Sequence, residues 1–246
     1  MSVDFSYYQL FLISLLFIWS GFVRSGLGFG GAALGLPLML MLYDQPLFWL
    51  PIIGIHLLFF SSITFGSNLQ SVDWAYLKKS GIFIFPAALI GVMGLISLPN
   101  QWLLIFIYTV TLIYAFIWSM NWAISSSSKH LDKLLLVLGG YVAGTSLTGA
   151  PLMIAVYARN VARENLRNTL FVLWFTLVIM KMTTFAILGV DMHLLMALAL
   201  LPIAAIGHIV GLKFHNLIIK NDQIFKRVIG GVLGIISGIG LWQVIQ

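Results

Sequence analysis

Glycine breaks the first apolar run of this chain at Gly26-Leu27-Gly28-Phe29-Gly30-Gly31, inside a stretch that covers residues 5–43. A second apolar run, residues 131–158, is broken in a similar way at Gly144-Thr145-Ser146-Leu147-Thr148-Gly149. Glycine and short hydroxyl residues are poor helix formers, so each run is expected to stop and restart as a helix at its break. These two breaks decide the fold.

The rest of the composition excludes a water-soluble domain. Hydrophobic residues make up 61% of the 246 residues and charged residues only 8%, against roughly 25% charged in soluble domains. Apolar runs of about 20 residues can cross a ~30 Å bilayer core as helices. Six such runs are uninterrupted, at 48–66, 79–97, 102–122, 168–188, 193–212 and 227–245. The sequence therefore predicts an all-α polytopic membrane protein whose solvent is the lipid bilayer.

Several classes of chemistry are excluded or disfavoured by the residues present. The chain has no cysteine, so thiol nucleophiles, disulfides and metal-thiolate sites are impossible. The chain has no HExxH motif, and its apolar runs contain no pair of aspartates and no Ser/His pair at helical spacing. We therefore expect no catalytic residue, metal or cofactor. The net charge of +6 comes from basic residues scattered between apolar runs, which argues against nucleic acid as a partner.

The basic residues between the runs indicate the topology, because Lys and Arg are concentrated on the cytoplasmic side of membrane proteins. They are Lys78, Lys79, Lys129, Lys133, Arg159, Arg163, Arg167, Lys213, Lys220, Lys226 and Arg227. Basic connections flank 131–158 on both sides, so that segment should enter and leave the membrane on one side. Its 28 residues would reach ~42 Å as one helix, whereas each arm of a broken helix reaches only ~20 Å. A V-shaped or re-entrant hairpin fits both constraints.

The two halves of the chain resemble each other in order. At an offset of 119 residues, Gly21-Phe22-Val23 aligns with Gly140-Tyr141-Val142, and Gly30-Gly31-Ala32 aligns with Gly149-Ala150-Pro151. At an offset of 120, Thr64-Phe65 aligns with Thr184-Phe185. We therefore predict that the chain is built from two repeats.

The predicted repeats are residues 1–124 and 131–246, joined by a cytoplasmic linker at 125–130. Each contains one broken hairpin, 5–43 or 131–158, followed by three of the spans given above. An odd number of crossings places the second repeat inverted relative to the first, with both termini outside and the basic connections cytoplasmic. Inverted repeats with interrupted helices in matching positions are typical of transporters whose substrate site lies at the breaks.

The same residues resemble a known family, the TauE/SafE group of sulfite and organosulfonate permeases. The resemblance rests on Gly28-Phe29-Gly30-Gly31 followed by Leu36-Pro37-Leu38, on Val72-Asp73-Trp74, and on a weaker second copy of the first motif at Gly140–Gly144 and Gly149-Ala150-Pro151. It implies a transporter of small sulfur oxyanions or sulfonates in a prokaryotic cytoplasmic (inner) membrane, with transport direction differing among members.

The breaks themselves supply the first candidate site residues. Gly28, Phe29, Gly30 and Gly31 precede a half-helix at 31–43, whose unpaired N–H groups and positive dipole end could hold an anion. Thr145, Ser146, Thr148 and Gly149 are the matching candidates at the second break. The alternatives are close helix packing for the glycines and hydrogen bonds from the hydroxyls to carbonyls of their own helix.

Three ionisable residues inside apolar runs complete the candidate site. Arg24 and Lys181 are the two basic residues within these runs, where an unpaired charge costs ~2.5 kcal/mol or more. Because the acidic residues map to loops or termini, a bound anion is a candidate partner for both cations. The alternatives for Arg24 are an interfacial position or contacts with backbone carbonyls at the break. His56, near the middle of 48–66, is a candidate for binding or proton handling, or a hydrogen-bonded core residue.

The sequence thus predicts a permease that moves a small anion by alternating access. An anion channel, a carrier for a small carboxylate and an intramembrane enzyme are the competing functions. Coupling to protons or another ion, and association as a homodimer, stay open alternatives.

Overall fold

The computed structural model describes residues 5–27, 31–65, 69–220 and 222–246, and within these ranges all regular secondary structure is helical. The ten α-helices are α1 (Tyr7–Leu27), α2 (Gly31–Leu42), α3 (Pro46–Phe65), α4 (Trp74–Ser97), α5 (Asn100–Ser119), α6 (Lys129–Ser146), α7 (Ala150–Asn160), α8 (Arg163–Ile187), α9 (Leu194–Lys220) and α10 (Asp222–Ile245), and a 3₁₀ turn covers Leu69–Ser71. The predicted all-α fold is confirmed.

Seven helices in the described ranges are long and apolar enough to cross a membrane. These are Tyr7–Gly26, Pro46–Ile63, Trp74–Ser97, Asn100–Ser119, Arg163–Ile187, Leu194–His215 and Gln223–Ile245. The last six correspond to the six uninterrupted runs of the sequence. The first is the longer arm of the first broken run, which alone reaches the length of a span.

The connection predicted to carry Lys213, Lys220, Lys226 and Arg227 is almost entirely helical, so the sequence analysis was wrong there. α9 continues to Lys220 and α10 begins at Asp222. Hydropathy marks only the apolar part of a helix, and lysine and arginine are good helix formers that extend it beyond that part. The basic residues therefore lie on helix ends rather than in a loop.

The chain divides into two compact units that do not follow the predicted repeats. The first unit contains Met1–Trp49, Pro99–Ala123 and Leu194–Gln246, and the second contains Leu50–Leu98 and Ile124–His193. Each unit takes helices from both halves of the sequence. The division into repeats therefore remains a prediction about how the chain is built, separate from how it packs.

In the first unit, α1 packs along α9 with backbone against backbone. A Cβ atom at Gly21 would lie 2.2 Å from Ala204 O, and one at Gly211 would lie 2.4 Å from Phe22 O. Real Cβ atoms do not approach this closely, so only glycine allows the two helices to meet here. The contact is of the small-residue type that joins helices in membranes.

The second unit contains a contact of the same kind between α4 and α6. A Cβ atom at Gly140 would lie 2.5 Å from Ile84 O, and one at Gly91 would lie 2.3 Å from Tyr141 O. The Gly91–Tyr141 pair matches the Gly211–Phe22 pair of the first unit at offsets of 120 and 119 residues. The same residue-to-residue packing thus occurs once in each unit.

Both broken runs form helical hairpins whose outer ends meet. In the first unit, the ring of Phe5, before α1, lies edge-on to that of Tyr43, after α2, with centroids 5.8 Å apart. In the second unit, Arg159 near the end of α7 pairs with Asp132 in the first turn of α6 at 3.2 Å. The outer ends of the two arms therefore lie close together in each hairpin.

Candidate functional site

The first break lies between the end of α1 at Leu27 and the start of α2 at Gly31. The predicted site residues Gly28, Phe29 and Gly30 lie outside the described residues. Gly31 is the first residue of α2, which has no acidic residue in its first turn. The first N–H groups of any helix lack partners within the helix, so the start of α2 is a source of hydrogen-bond donors.

Arg24 lies in the last turn of α1, one turn before this break. Its guanidinium Nη2 lies 3.4 Å from Nδ1 of His208 on α9. Ser25 Oγ is in hydrogen-bond contact with the same ring nitrogen and lies 3.0 Å from Gly21 O. The close packing of α1 on α9 therefore assembles a polar cluster of Arg24, Ser25 and His208 beside the first break.

His215, two turns further along α9, contacts the end of α1 directly. Its Nδ1 lies 2.8 Å from Gly26 O, and because a carbonyl can only accept, Nδ1 is the donor. The sequence analysis gave no role to His215, since the apolar run of α9 was taken to stop at residue 212. The extra two turns of helix bring this histidine to the break.

The second break separates α6, which ends at Ser146, from α7, which begins at Ala150. Leu147 caps α6 in the left-handed conformation, with φ 60° and ψ 18°, which is unfavourable for a residue with a Cβ atom. α7 starts after Gly149 without a side-chain cap hydrogen bond. A Cβ atom at Gly149 would lie 2.0 Å from Gly139 O, so this glycine lets the start of α7 pack directly on α6.

The three predicted hydroxyls at this break are buried, at 2% exposure or less. Thr145 donates to Tyr141 O at 2.9 Å, and Ser146 Oγ lies 3.0 Å from Val142 O. These are bonds to their own helix, the structural alternative that the sequence left open. Thr148 differs, because its hydroxyl bonds Ser146 Oγ at 2.6 Å rather than a carbonyl.

Lys181 on α8 is buried, with 1% of its surface exposed, and its ammonium reaches the end of α6. Nζ lies 2.7 Å from Gly144 O and 3.1 Å from Thr145 O. These carbonyls end a helix, where the macrodipole favours a cation. Lys181 therefore has backbone partners in the folded chain, a solution the sequence analysis weighed for Arg24 but not for this residue.

His56 is also buried, on α3, with 6% exposure. Its ring lies edge-on to Phe60 at a centroid distance of 6.4 Å. Close by, a Cβ atom at Gly54 would lie 2.3 Å from Met182 Sδ, so α3 meets α8 next to Lys181. The second unit thus brings the helix of His56 beside the lysine, while Arg24 belongs to the first unit.

Asp132 is a buried charge that the sequence analysis missed, because all acidic residues were assigned to loops or termini. It lies in the first turn of α6 with 7% exposure. Its carboxylate accepts from Arg159 and Asn160, each at 3.2 Å, and also bonds Ser126. The clue was the pairing of acidic and basic residues at the two ends of the same hairpin.

A search against protein families adds an independent observation to this geometry. A family model described as sulfite exporter TauE/SafE matches residues 13–241, which include both breaks and nearly all of the chain. The chain belongs to the TauE/SafE family. Its members are membrane transporters, so the predicted family and the general class of function are confirmed. The comparisons with curated proteins and with solved structures found no match.

The TauE/SafE match places the chemistry described above within a family of membrane transporters. Among the described residues, no cluster of three or more His, Asp or Glu side chains could hold a metal ion. The polar groups that the fold does bring together are helix ends, hydroxyls and basic side chains. The basic side chains and the N–H groups at the starts of α2 and α7 can donate to an anion, whereas the hydroxyls both donate and accept.

Proposed function

We propose that this TauE/SafE protein moves a small anion, a sulfur oxyanion or organosulfonate, across the cytoplasmic membrane by alternating access. The observation that carries the proposal is the repetition of one arrangement: in each unit, a hairpin is interrupted and a basic side chain lies at the interruption. Arg24 supplies it in the first unit and Lys181 in the second. In each unit, the helix ends at its own break are the proposed contacts for the anion.

The electrostatics of the second arms favour an anion over a cation. A helix N-terminus carries roughly half a positive charge and several unpaired N–H donors. Neither α2 nor α7 has an acidic residue in its first turn, so nothing on those turns offsets this charge. At the second break α7 has no side-chain cap, so no capping side chain competes with a ligand for its first N–H groups, of which Pro151 supplies none.

A sulfur oxyanion suits such a site better than a carboxylate. Sulfite and sulfonate groups present three oxygens around one sulfur atom, so they can accept from several donors that converge from different directions. A carboxylate presents two oxygens in one plane. The family description, sulfite exporter, supports the same class of substrate, although it is the description of the family and the substrate of this chain is our proposal.

We further propose the inverted-repeat topology, with both termini outside and the second hairpin opening to the cytoplasm. Two features support it. The glycine contacts of α1 with α9 and of α6 with α4 occur at matched positions. The outer ends of the second hairpin are joined by the ion pair of Asp132 and Arg159, whereas those of the first are joined by the aromatic contact of Phe5 and Tyr43. A charged end on the second hairpin agrees with a cytoplasmic position, where basic residues are in excess.

The test of substrate class is thermal unfolding of the purified protein with sulfite, sulfate, thiosulfate, taurine and simple carboxylates. A ligand that binds only the folded state stabilises it by about 2.7 kcal/mol at a hundred times its Kd. We expect a saturable rise in Tm with a sulfur oxyanion or sulfonate. A rise with carboxylates alone, or none with any anion, would contradict the substrate class.

Flux into sealed vesicles then separates the competing functions. A carrier gives saturable flux and returns its substrate chemically unchanged. Flux that does not saturate would favour an anion channel, and a covalently changed product would favour an enzyme.

A further inference from the structure

In each hairpin, a basic side chain from a helix distant in sequence donates to the carbonyls that end the first arm. In the first unit, His215 of α9 donates to Gly26 O at 2.8 Å. In the second, Lys181 of α8 donates to Thr145 O at 3.1 Å and Gly144 O at 2.7 Å. The first arms are α1 and α6, and the second arms are α2 and α7.

The two capped carbonyls are equivalent positions of the repeat. Gly26 and Thr145 differ by 119 residues, the same offset that relates Phe22 to Tyr141 in the glycine contacts. The two donors are not equivalent, since they lie on different helices of one half and differ in residue type. Two unrelated side chains therefore donate to the carbonyls that end the first arm at both breaks. A shared need met by different residues is stronger evidence of a shared function than a repeated lysine would be.

The requirement follows from the ends of the first arms. The last carbonyls of a helix have no partner within the helix, and leaving such groups unpaired in a membrane is costly. These carbonyls also carry the negative end of the helix dipole. At each break the first arm ends four residues before the second begins, so an anion attracted to the second arm would also be repelled by this negative end.

We propose that Lys181 and His215 are positioning residues that cap the carbonyls at the end of the first arm of each hairpin. With these carbonyls capped, the N–H donors of the second arm are the groups that act on an anion at each break. The anion part of this inference rests on the proposed function. Two of the three N–H donors of Lys181 are committed to carbonyls, so its main task is to donate hydrogen bonds to a helix end rather than to hold the anion. His215 does the same with its Nδ1–H donor.

Matched substitutions at His215 and Lys181 distinguish two roles, donating a hydrogen bond to a helix end and supplying a positive charge to the anion. His215→Asn keeps an N–H at the same number of bonds from the backbone as Nδ1, whereas His215→Leu has a similar shape without a donor. Lys181→Gln keeps a donor without the charge, and Lys181→Met removes both. His130→Leu, an exposed histidine at the start of α6, is the control. Each variant is purified as the full chain, and its Tm is measured with and without sulfite and taurine.

Hydrogen–deuterium exchange of the backbone amides at each break is the second readout, and it needs no ligand. We expect His215→Leu to raise exchange about tenfold at the first break only, and Lys181→Met to do so at the second break only, in line with the loss of a buried hydrogen bond. The Asn and Gln variants should stay near wild type. A general loss of structure would raise exchange at both breaks alike, and that result would overturn the proposal.

The ligand experiment has its own decisive outcomes. Capping predicts that the Leu and Met variants lose most of the anion-dependent rise in Tm, while Asn and Gln keep most of it and His130→Leu is unchanged. If Lys181→Gln loses as much as Lys181→Met, the charge itself binds the anion and the capping role is wrong. If wild type shows no rise with any anion, the proposed function fails, while the exchange pattern still decides whether the caps exist. Should Lys181→Met not fold, Lys181→Gln and the His215 pair carry the same test.

Discussion

Lys181 shows how a charge can be kept inside an apolar helix without a carboxylate nearby. Its ammonium lies on Gly144 O and Thr145 O, at the end of a helix where partial negative charge collects. The sequence singled out this residue because nothing adjacent could balance its charge. It could not identify the partners, because they are backbone atoms some 36 residues earlier in the chain that become available only when the helix ends.

His215, in contrast, was not singled out from the sequence at all. Its part in the first break depends on two turns of helix beyond the apolar run, and hydropathy does not report helix that extends past the hydrocarbon core. Arg24 was identified from the sequence, but its contact with His208 was not, since it requires α1 to pack on α9. Residue type and burial were predictable here, whereas the pairing of distant side chains was not.

Arg24→Leu is expected to abolish anion binding and leave the protein folded. The substitution removes the guanidinium beside the first break and leaves an apolar side chain that the membrane environment accepts. The measurement is the rise in Tm with a saturating sulfur oxyanion, with Arg167→Gln, an exposed arginine on α8, as the control. Normal binding by the Arg24 variant would remove the charge argument for this residue.

Two buried tyrosines provide a matched pair for hydrogen bonding. Tyr157 bonds Ser80 Oγ at 2.6 Å, whereas the hydroxyl of Tyr114 is buried without a hydrogen-bond partner. Tyr157→Phe should therefore cost about 1 kcal/mol, and Tyr114→Phe should be neutral or stabilising because it removes an unpaired polar group. Denaturant or thermal unfolding of both variants in the same detergent measures the difference, and equal losses would contradict it.

At the scale of helices, the sequence was a good guide to which segments exist. The six uninterrupted runs and both breaks were identified, because in a membrane the length and apolarity of a run decide whether it can span. Glycines such as Gly207 were not assigned to contacts, since one sequence does not distinguish a glycine that allows close packing from one that is merely tolerated. Only the position of the neighbouring helix distinguishes the two kinds of glycine.

Gly207→Ala and Gly238→Ala test that distinction. A Cβ atom at Gly207 would lie 1.8 Å from Ile18 O, whereas nothing lies within 4 Å of one at Gly238. We expect the first substitution to cost several kcal/mol by forcing α1 and α9 apart, as overpacking does. The second should be neutral or stabilise the helix by up to about 1 kcal/mol. Thermal unfolding is the measurement, and similar effects of the two would show that the helix contact is not tight.

On the scale of the whole molecule, neither predicted repeat forms a compact unit by itself. Each unit combines helices from both halves, because α1 finds its glycine-rich partner in α9 and α6 finds its own in α4. Sequence similarity between the halves indicates a repeat but is silent about which half supplies a packing partner. The exchange of helices could therefore not be predicted from the sequence.

The proposed topology can be tested with single cysteines, because the natural chain has none. Ser127→Cys and Gln246→Cys both place a thiol at an exposed position. In intact cells, a membrane-impermeant maleimide is expected to label the cysteine at position 246 and to label the one at 127 only after the membrane is opened. Labelling of both, or of 127 alone, would contradict termini outside and a cytoplasmic linker.

Because α1 packs on α9, the first helix must wait for its partner to be synthesised. At 5–20 residues per second, roughly ten to forty seconds pass between the synthesis of Gly21 and that of Ala204, its neighbour in the finished protein. α6 emerges within a few seconds of α4. The helices α4 and α6 can therefore pack together while the glycine surface of α1 still lacks α9. Truncation before α9 would leave α1 permanently without this packing partner.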